Sequence, residues 1–149
     1  MKKDIIVTLL GAVIVLTFLY TASDKLIKFN DYTEIMGRQP LPAWSKPILI
    51  WGIPSSEFIV SMLLFIPKTR RLGFVGATIL MILFTGYIGL ALIHAFKYVP
   101  CICGGIFRNM SWENHFLINV ALLAIAASGW FFNNRSTEIA KTRRNHRQV

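Results

Sequence analysis

Two cysteines, the only two in the chain, stand as Cys101-Ile102-Cys103 and are followed by Gly104 and Gly105. A C-x-C disulfide closes a very tight ring, and a strained ring is more easily reduced. As a staple it would add little stability, because it closes almost no loop. Pro100 removes a backbone donor and stiffens the entry, while the glycine pair lets another chain approach closely. This combination points to an exchangeable redox pair. Two competing readings stay open: a structural disulfide, and a metal site in which the thiolates would need more than His94 or His115 as further ligands. His94 lies seven residues before Cys101 and could share its helix face, where a cation would favour the thiolate. Its bland reading is an interfacial side chain.

Glu57 is the second residue with chemical promise. It sits nine residues into an apolar run, Ile48 to Ile66, roughly 13 Å from that run's start at 1.5 Å per residue. An acid at that depth is costly unless neutral or paired. No Lys or Arg is expected inside any span. Glu57 is therefore expected to be protonated, or hydrogen-bonded to Ser55, Ser56, Tyr87 or a helix end. It would serve as a proton acceptor or as a polar anchor for a quinone-like ligand; the bland alternative is a polar clamp between helices.

These residues must be positioned by a membrane bundle. Of 149 residues, 54% are hydrophobic and only 15% charged, with a mean hydropathy of +0.54. Soluble domains carry about a quarter charged residues. A disordered chain, a coiled coil and most soluble enzymes are excluded. Four apolar runs are long enough to span: 5–23, 48–66, 72–96 and 116–132, followed by a basic tail at 133–149. The whole is read as a single membrane domain, 1–149. A cleaved signal peptide competes for the first run, but that run is long for an h-region and lacks a good cleavage site.

Basic residues set the orientation. Ten lie on the side of the termini and the 67–71 turn: Lys2, Lys3, Lys68, Arg70, Arg71, Arg135, Lys141, Arg143, Arg144 and Arg147. Six lie on the other side: Lys25, Lys28, Arg38, Lys46, Lys97 and Arg108. Both termini are expected in the cytoplasm, and the cysteines in the periplasm, where disulfides persist. The net charge of +9 then reflects cytoplasmic ends facing anionic lipid, not nucleic-acid binding. Tyr20, Trp44, Trp51, Tyr98 and Trp112 fall at outer span ends and Trp130 at an inner one, as interfacial belts do.

Between the first two spans, Leu26, Ile27, Phe29, Tyr32, Ile35 and Met36 recur at helical spacing, opposite Lys28, Asp31 and Glu34. That pattern predicts a short amphipathic helix on the outer surface, ended by Gly37, which either caps the bundle or helps to shape a lid. Gly73, Gly76, Gly86 and Gly89, and the alanines of the fourth span, read as packing positions. Ser111 reads as an N-cap with Glu113 in the first turn, and Trp112 as an interfacial anchor.

Asp24-Lys25-Leu26, Glu57, Cys101-Ile102-Cys103-Gly104-Gly105, Trp112 and Asn119, set among four spans, resemble the MauE/DoxX group of redox-associated bacterial membrane proteins. The similarity covers roughly residues 5–132 and is nearest to the methylamine utilisation protein MauE domain. The resemblance implies a multi-pass inner-membrane protein that assists processing, transport or maturation of a periplasmic partner, as for the disulfide-rich β-subunit of methylamine dehydrogenase. The architecture is also similar to vitamin K epoxide reductase-like bundles, which couple disulfides to quinones. This chain departs from those: it has C-x-C rather than C-x-x-C, and no second cysteine pair, so no internal shuttle between two pairs is available.

The expected fold is therefore all-α, four transmembrane helices plus one interfacial helix. The expected function is a thiol–disulfide component acting through Cys101 and Cys103, supported by Glu57, His94, Gly104, Gly105 and Trp112. Expected partners are the bilayer and a periplasmic client or thioredoxin-like protein. A quinone is the one cofactor entertained. The alternative is a non-enzymatic scaffold or transporter-like subunit with passive cysteines.

Overall fold

The computed structural model describes residues 2–93 and 111–146, and five helices account for most of them. The first apolar run continues as helix through Asp24 and Lys25, so α1 spans Lys2–Ile27. A short helix, α2, follows at Phe29–Gly37. Then come α3 (Ser45–Phe65), α4 (Arg70–Leu92) and α5 (Trp112–His146). α1, α3, α4 and the 113–134 part of α5 are each long and apolar enough to cross a membrane. The chain is a multi-pass membrane protein.

The four long helices form a ring in which α1 packs on α3, α3 on α4, α4 on α5, and α5 back on α1. Phe74 fills the centre, fully buried. Its ring reaches Gly11 of α1 and Gly129 of α5, where a Cβ would stand 3.6 Å and 2.1 Å from it. Around it pack Val7, Ile14, Val60, Leu64, Ala77, Leu122 and Ala126. Without a hydrophobic force between helices in lipid, such close contacts do much of the holding. Leu9, Leu16, Ile59, Phe65, Leu72 and Leu117 point outward, as lipid-facing positions should.

α3 and α4 meet closely near their shared turn. A Cβ on Gly73 would lie 2.7 Å from the backbone nitrogen of Leu64, and one on Gly76 would lie 2.9 Å from Val60. The turn is tight, as the sequence predicts. Thr69 Oγ1 donates to Leu63 O at 3.0 Å, and Arg70 donates to Leu64 O at 3.4 Å and to Thr8 Oγ1 at 3.2 Å. A cation and a hydroxyl thus satisfy carbonyls at the end of α3. Gly86 departs from the packing expectation: a Cβ there would meet nothing within 4 Å.

α2 is the expected amphipathic helix. Tyr32 and Met36 are buried, while Lys28, Asp31 and Glu34 face outward. Leu26 and Ile27, expected on its apolar face, instead end α1 and are exposed. Tyr32 donates its hydroxyl to Leu49 O at 3.2 Å, and Lys46 donates to Gly37 O at 2.6 Å, which ties α2 to the start of α3. The rings of Phe29 and Trp51 lie 5.1 Å apart. Tyr20, Trp44, Trp51 and Trp130 are all on the outside of the bundle, consistent with interfacial anchoring. Ser111 caps α5, accepting from the backbone nitrogen of Asn114 at 3.4 Å. α5 runs on to His146, so helix replaces much of the tail that the hydropathy pattern ends at 132.

Candidate functional site

Glu57 has a cationic partner, which corrects the sequence reading. Lys25 Nζ donates to Glu57 Oε1 at 2.9 Å and to Oε2 at 3.0 Å. Its third bond goes to Thr21 O at 3.3 Å, one turn back on its own helix. Both side chains are almost wholly buried, 3% and 2% exposed. The residues expected to hold Glu57 are engaged elsewhere: Ser56 Oγ donates to Ile53 O at 2.8 Å, and Tyr87 donates to Gln39 Oε1. Ser55 is exposed. Ser61, not foreseen, donates its hydroxyl to Glu57's backbone carbonyl at 2.8 Å.

The cause is the length of α1. A lysine beyond the end of a span would turn its ammonium outward to water. Here the helix continues past Lys25, and a helical side chain leans toward the N-terminus of its helix. The ammonium is therefore carried inward, back along α1, to meet Glu57. α3 begins at Ser45, three residues before the expected boundary, so Glu57 lies about 18 Å along it at 1.5 Å per residue. Lys25 has three donors and all three are used.

This pair forms one wall of a cavity of about 410 Å³. Most of the lining is apolar: Phe18, Met36, Leu49, Ile53, Leu80, Met81, Phe84, Ile88 and Leu122 among others. The polar groups on it come from every long helix: Thr17, Thr21 and Lys25 from α1, Ser56 and Glu57 from α3, Tyr87 from α4, and His115 and Asn119 from α5. His115 and Asn119 are one turn apart and buried, and Asn119 Nδ2 donates to His115 O at 3.0 Å. Met36 and Leu41 bring α2 and the turn after it to the cavity. That turn is held by the buried side chain of Gln39, which accepts from Tyr87 and donates to Ile35 O at 3.3 Å. α2 thus both caps the bundle and shapes the site. Between α3 and α4 the wall includes Gly52 and Leu83, both exposed, so the cavity opens sideways there.

Of the residues singled out in the sequence, Lys25, Ser56, Glu57, Tyr87, His115 and Asn119 lie in the cavity wall, and Trp112 opens α5, three residues before His115. His94, Cys101, Cys103, Gly104 and Gly105 lie outside the described residues. Among the described residues no group of three or more His, Cys, Asp or Glu could hold a metal ion. The hydropathy pattern ends the first span before Lys25 and assigns no role to Thr21 or Gln39. A signal for two of them existed: Ile14, Phe18, Thr21 and Lys25 recur at spacings of four, three and four, one helical face running on past the apolar segment.

The family described as methylamine utilisation protein MauE matches residues 3–132 of the chain, which include every residue of this cavity. No curated protein and no solved structure shows a significant match.

Proposed function

The chain belongs to the methylamine utilisation protein MauE family, and on that premise we propose that it is an inner-membrane thiol–disulfide component assisting the maturation of an exported partner through Cys101 and Cys103. Membership ties the chain to methylamine utilisation; the client suggested by that tie is a disulfide-rich periplasmic subunit of the amine-oxidising enzyme. One observation carries the reading. The two cysteines of the chain stand as C-x-C-G-G on the stretch between α4 and α5. That stretch joins the bundle at the end where Lys25, His115 and the cavity lie. The excess of basic residues at the termini and at the Lys68–Arg71 turn supports cytoplasmic termini and an outward-facing cysteine stretch.

In the exchange, a client dithiol attacks the Cys101–Cys103 disulfide. One S–S bond breaks and a mixed disulfide forms. The client's second thiol then displaces the protein's cysteine, leaving an oxidised client and a Cys101/Cys103 dithiol. Of the two, Cys101 follows Pro100 and is nearer in sequence to His94, and it is assigned as the sulfur that bonds to the client; Cys103 leaves as the thiol, and in the reverse direction it is the sulfur that releases the client from Cys101.

The test is alkylation trapping in cells, with single cysteine variants on non-reducing gels. Cys103→Ala should accumulate a reducible adduct, and Cys101→Ala should not. The reverse pattern exchanges the two roles. Absence of an adduct from either variant, with full function of the double variant, would remove the reading and leave a scaffold with passive cysteines.

A further inference from the structure

The cavity has features that constrain its occupant. It is open sideways between α3 and α4, at Gly52 and Leu83, and its walls are mostly apolar. A ligand can therefore enter from the bilayer. The charges on its wall cancel, since Lys25 and Glu57 bond to each other through both carboxylate oxygens. A net anion or cation would gain little there and would lose its hydration. An acyl chain alone offers no hydrogen-bonding atom to a wall that carries Tyr87, His115 and Asn119 on facing helices. Polar side chains at this depth are costly unless they serve packing or a ligand. The remaining class is a neutral amphiphile with oxygen atoms on a compact body. A volume of about 410 Å³ is within the range of small-molecule sites and accommodates a substituted ring with the start of a tail.

We propose that this cavity binds the ring of a membrane quinone. The choice of quinone over another neutral lipid rests on the thiol–disulfide reading. Regenerating the Cys101–Cys103 disulfide breaks two S–H bonds, forms one S–S bond and releases two electrons and two protons. A quinone takes up both pairs and becomes a hydroquinone. Binding itself depends only on the cavity, with Tyr87, His115 and Asn119 as the polar groups nearest the ring and the Lys25–Glu57 pair as a fixed dipole behind them.

Gly52 supplies the test. It lies in the wall, and a Cβ there would meet nothing within 4 Å. Gly52→Phe therefore places a ring at the cavity's opening, and its Cβ strikes no neighbour. The purified full chain in detergent is titrated with a short-tailed ubiquinone analogue, read by quenching of tryptophan fluorescence. Saturable binding is expected, weakened at least tenfold by Gly52→Phe at an unchanged melting temperature. Should Gly52→Phe fold poorly, Leu83→Trp at the opening is expected to give the same loss. Diacylglycerol should not displace the quinone. Equal displacement by diacylglycerol makes the cavity a lipid site, and unsaturable binding, or binding indifferent to both variants, overturns the proposal. The Cys101→Ala/Cys103→Ala double variant should bind normally. A failed titration beside a trapped client adduct therefore strikes the quinone and spares the thiol–disulfide reading.

Discussion

Lys25 and Glu57 are each tolerable in the bundle only because of the other. Removing one partner of a buried ion pair leaves an uncompensated charge and costs about 3–5 kcal/mol. Lys25→Met and Glu57→Leu should each destabilise by that order, whereas the double substitution should cost less than either alone. Glu57→Gln keeps the shape but leaves the ammonium facing a neutral amide, so it too should be clearly destabilising. Unfolding midpoints in detergent across this double-mutant cycle measure the coupling. Additive losses would mean that the two side chains do not act as a pair. The sequence singled out Glu57 because an acid inside an apolar run is anomalous on its face. It hid the partner because hydropathy alone ends the first span at Ser23. A helix boundary is set by backbone geometry and by packing on α3, and neither is visible in a window of apolar residues. His115 and Asn119 stand at the start of the fourth apolar run, but a single sequence does not show that both turn inward.

At the scale of elements, the four spans, the tight turn, the amphipathic α2 and the Ser111 cap were all legible, since each follows from hydropathy, spacing or capping chemistry. The glycines were not separable. Gly73, Gly86 and Gly129 look alike in sequence, yet a Cβ on the first would meet backbone, on the second open space, and on the third the ring of Phe74. Gly129→Ala should therefore cost about 1–3 kcal/mol through overpacking, and Phe74→Leu in the same chain should recover part of it. Gly86→Ala should be neutral or slightly stabilising, since the helix loses a flexible residue. Unfolding midpoints of the four proteins check this; a destabilising Gly86→Ala would show that a neighbour packs on that face. α2 is held over the cavity by Gln39 and Tyr87. Tyr87→Phe should leave the four long helices intact and increase proteolysis within the 38–44 turn. Unchanged cleavage there would show that the contacts of Met36 suffice.

For the whole molecule, the ring of α1, α3, α4 and α5 brings helices far apart in sequence into contact around one axis, and the four crossings return the C-terminal end of α5 to the side of the N-terminus. Reporter fusions after Val149 should read as cytoplasmic; a periplasmic signal would put the cysteine stretch in a reducing compartment and remove the basis for disulfide exchange. The Lys25–Glu57 contact also governs how the molecule meets the transmembrane voltage. An elementary charge carried across the membrane exchanges about 2.3 kcal/mol for every ~100 mV. Two opposite charges joined at 2.9 Å lie at nearly the same depth, so the work done on one is returned by the other. The bundle thus buries two ionisable side chains away from water while their combined response to the energised state of the cell stays small. A chain carrying Lys25→Met loses that immunity: a carboxylate left ionised at Glu57 feels the local field alone, and the folded population becomes a function of membrane potential.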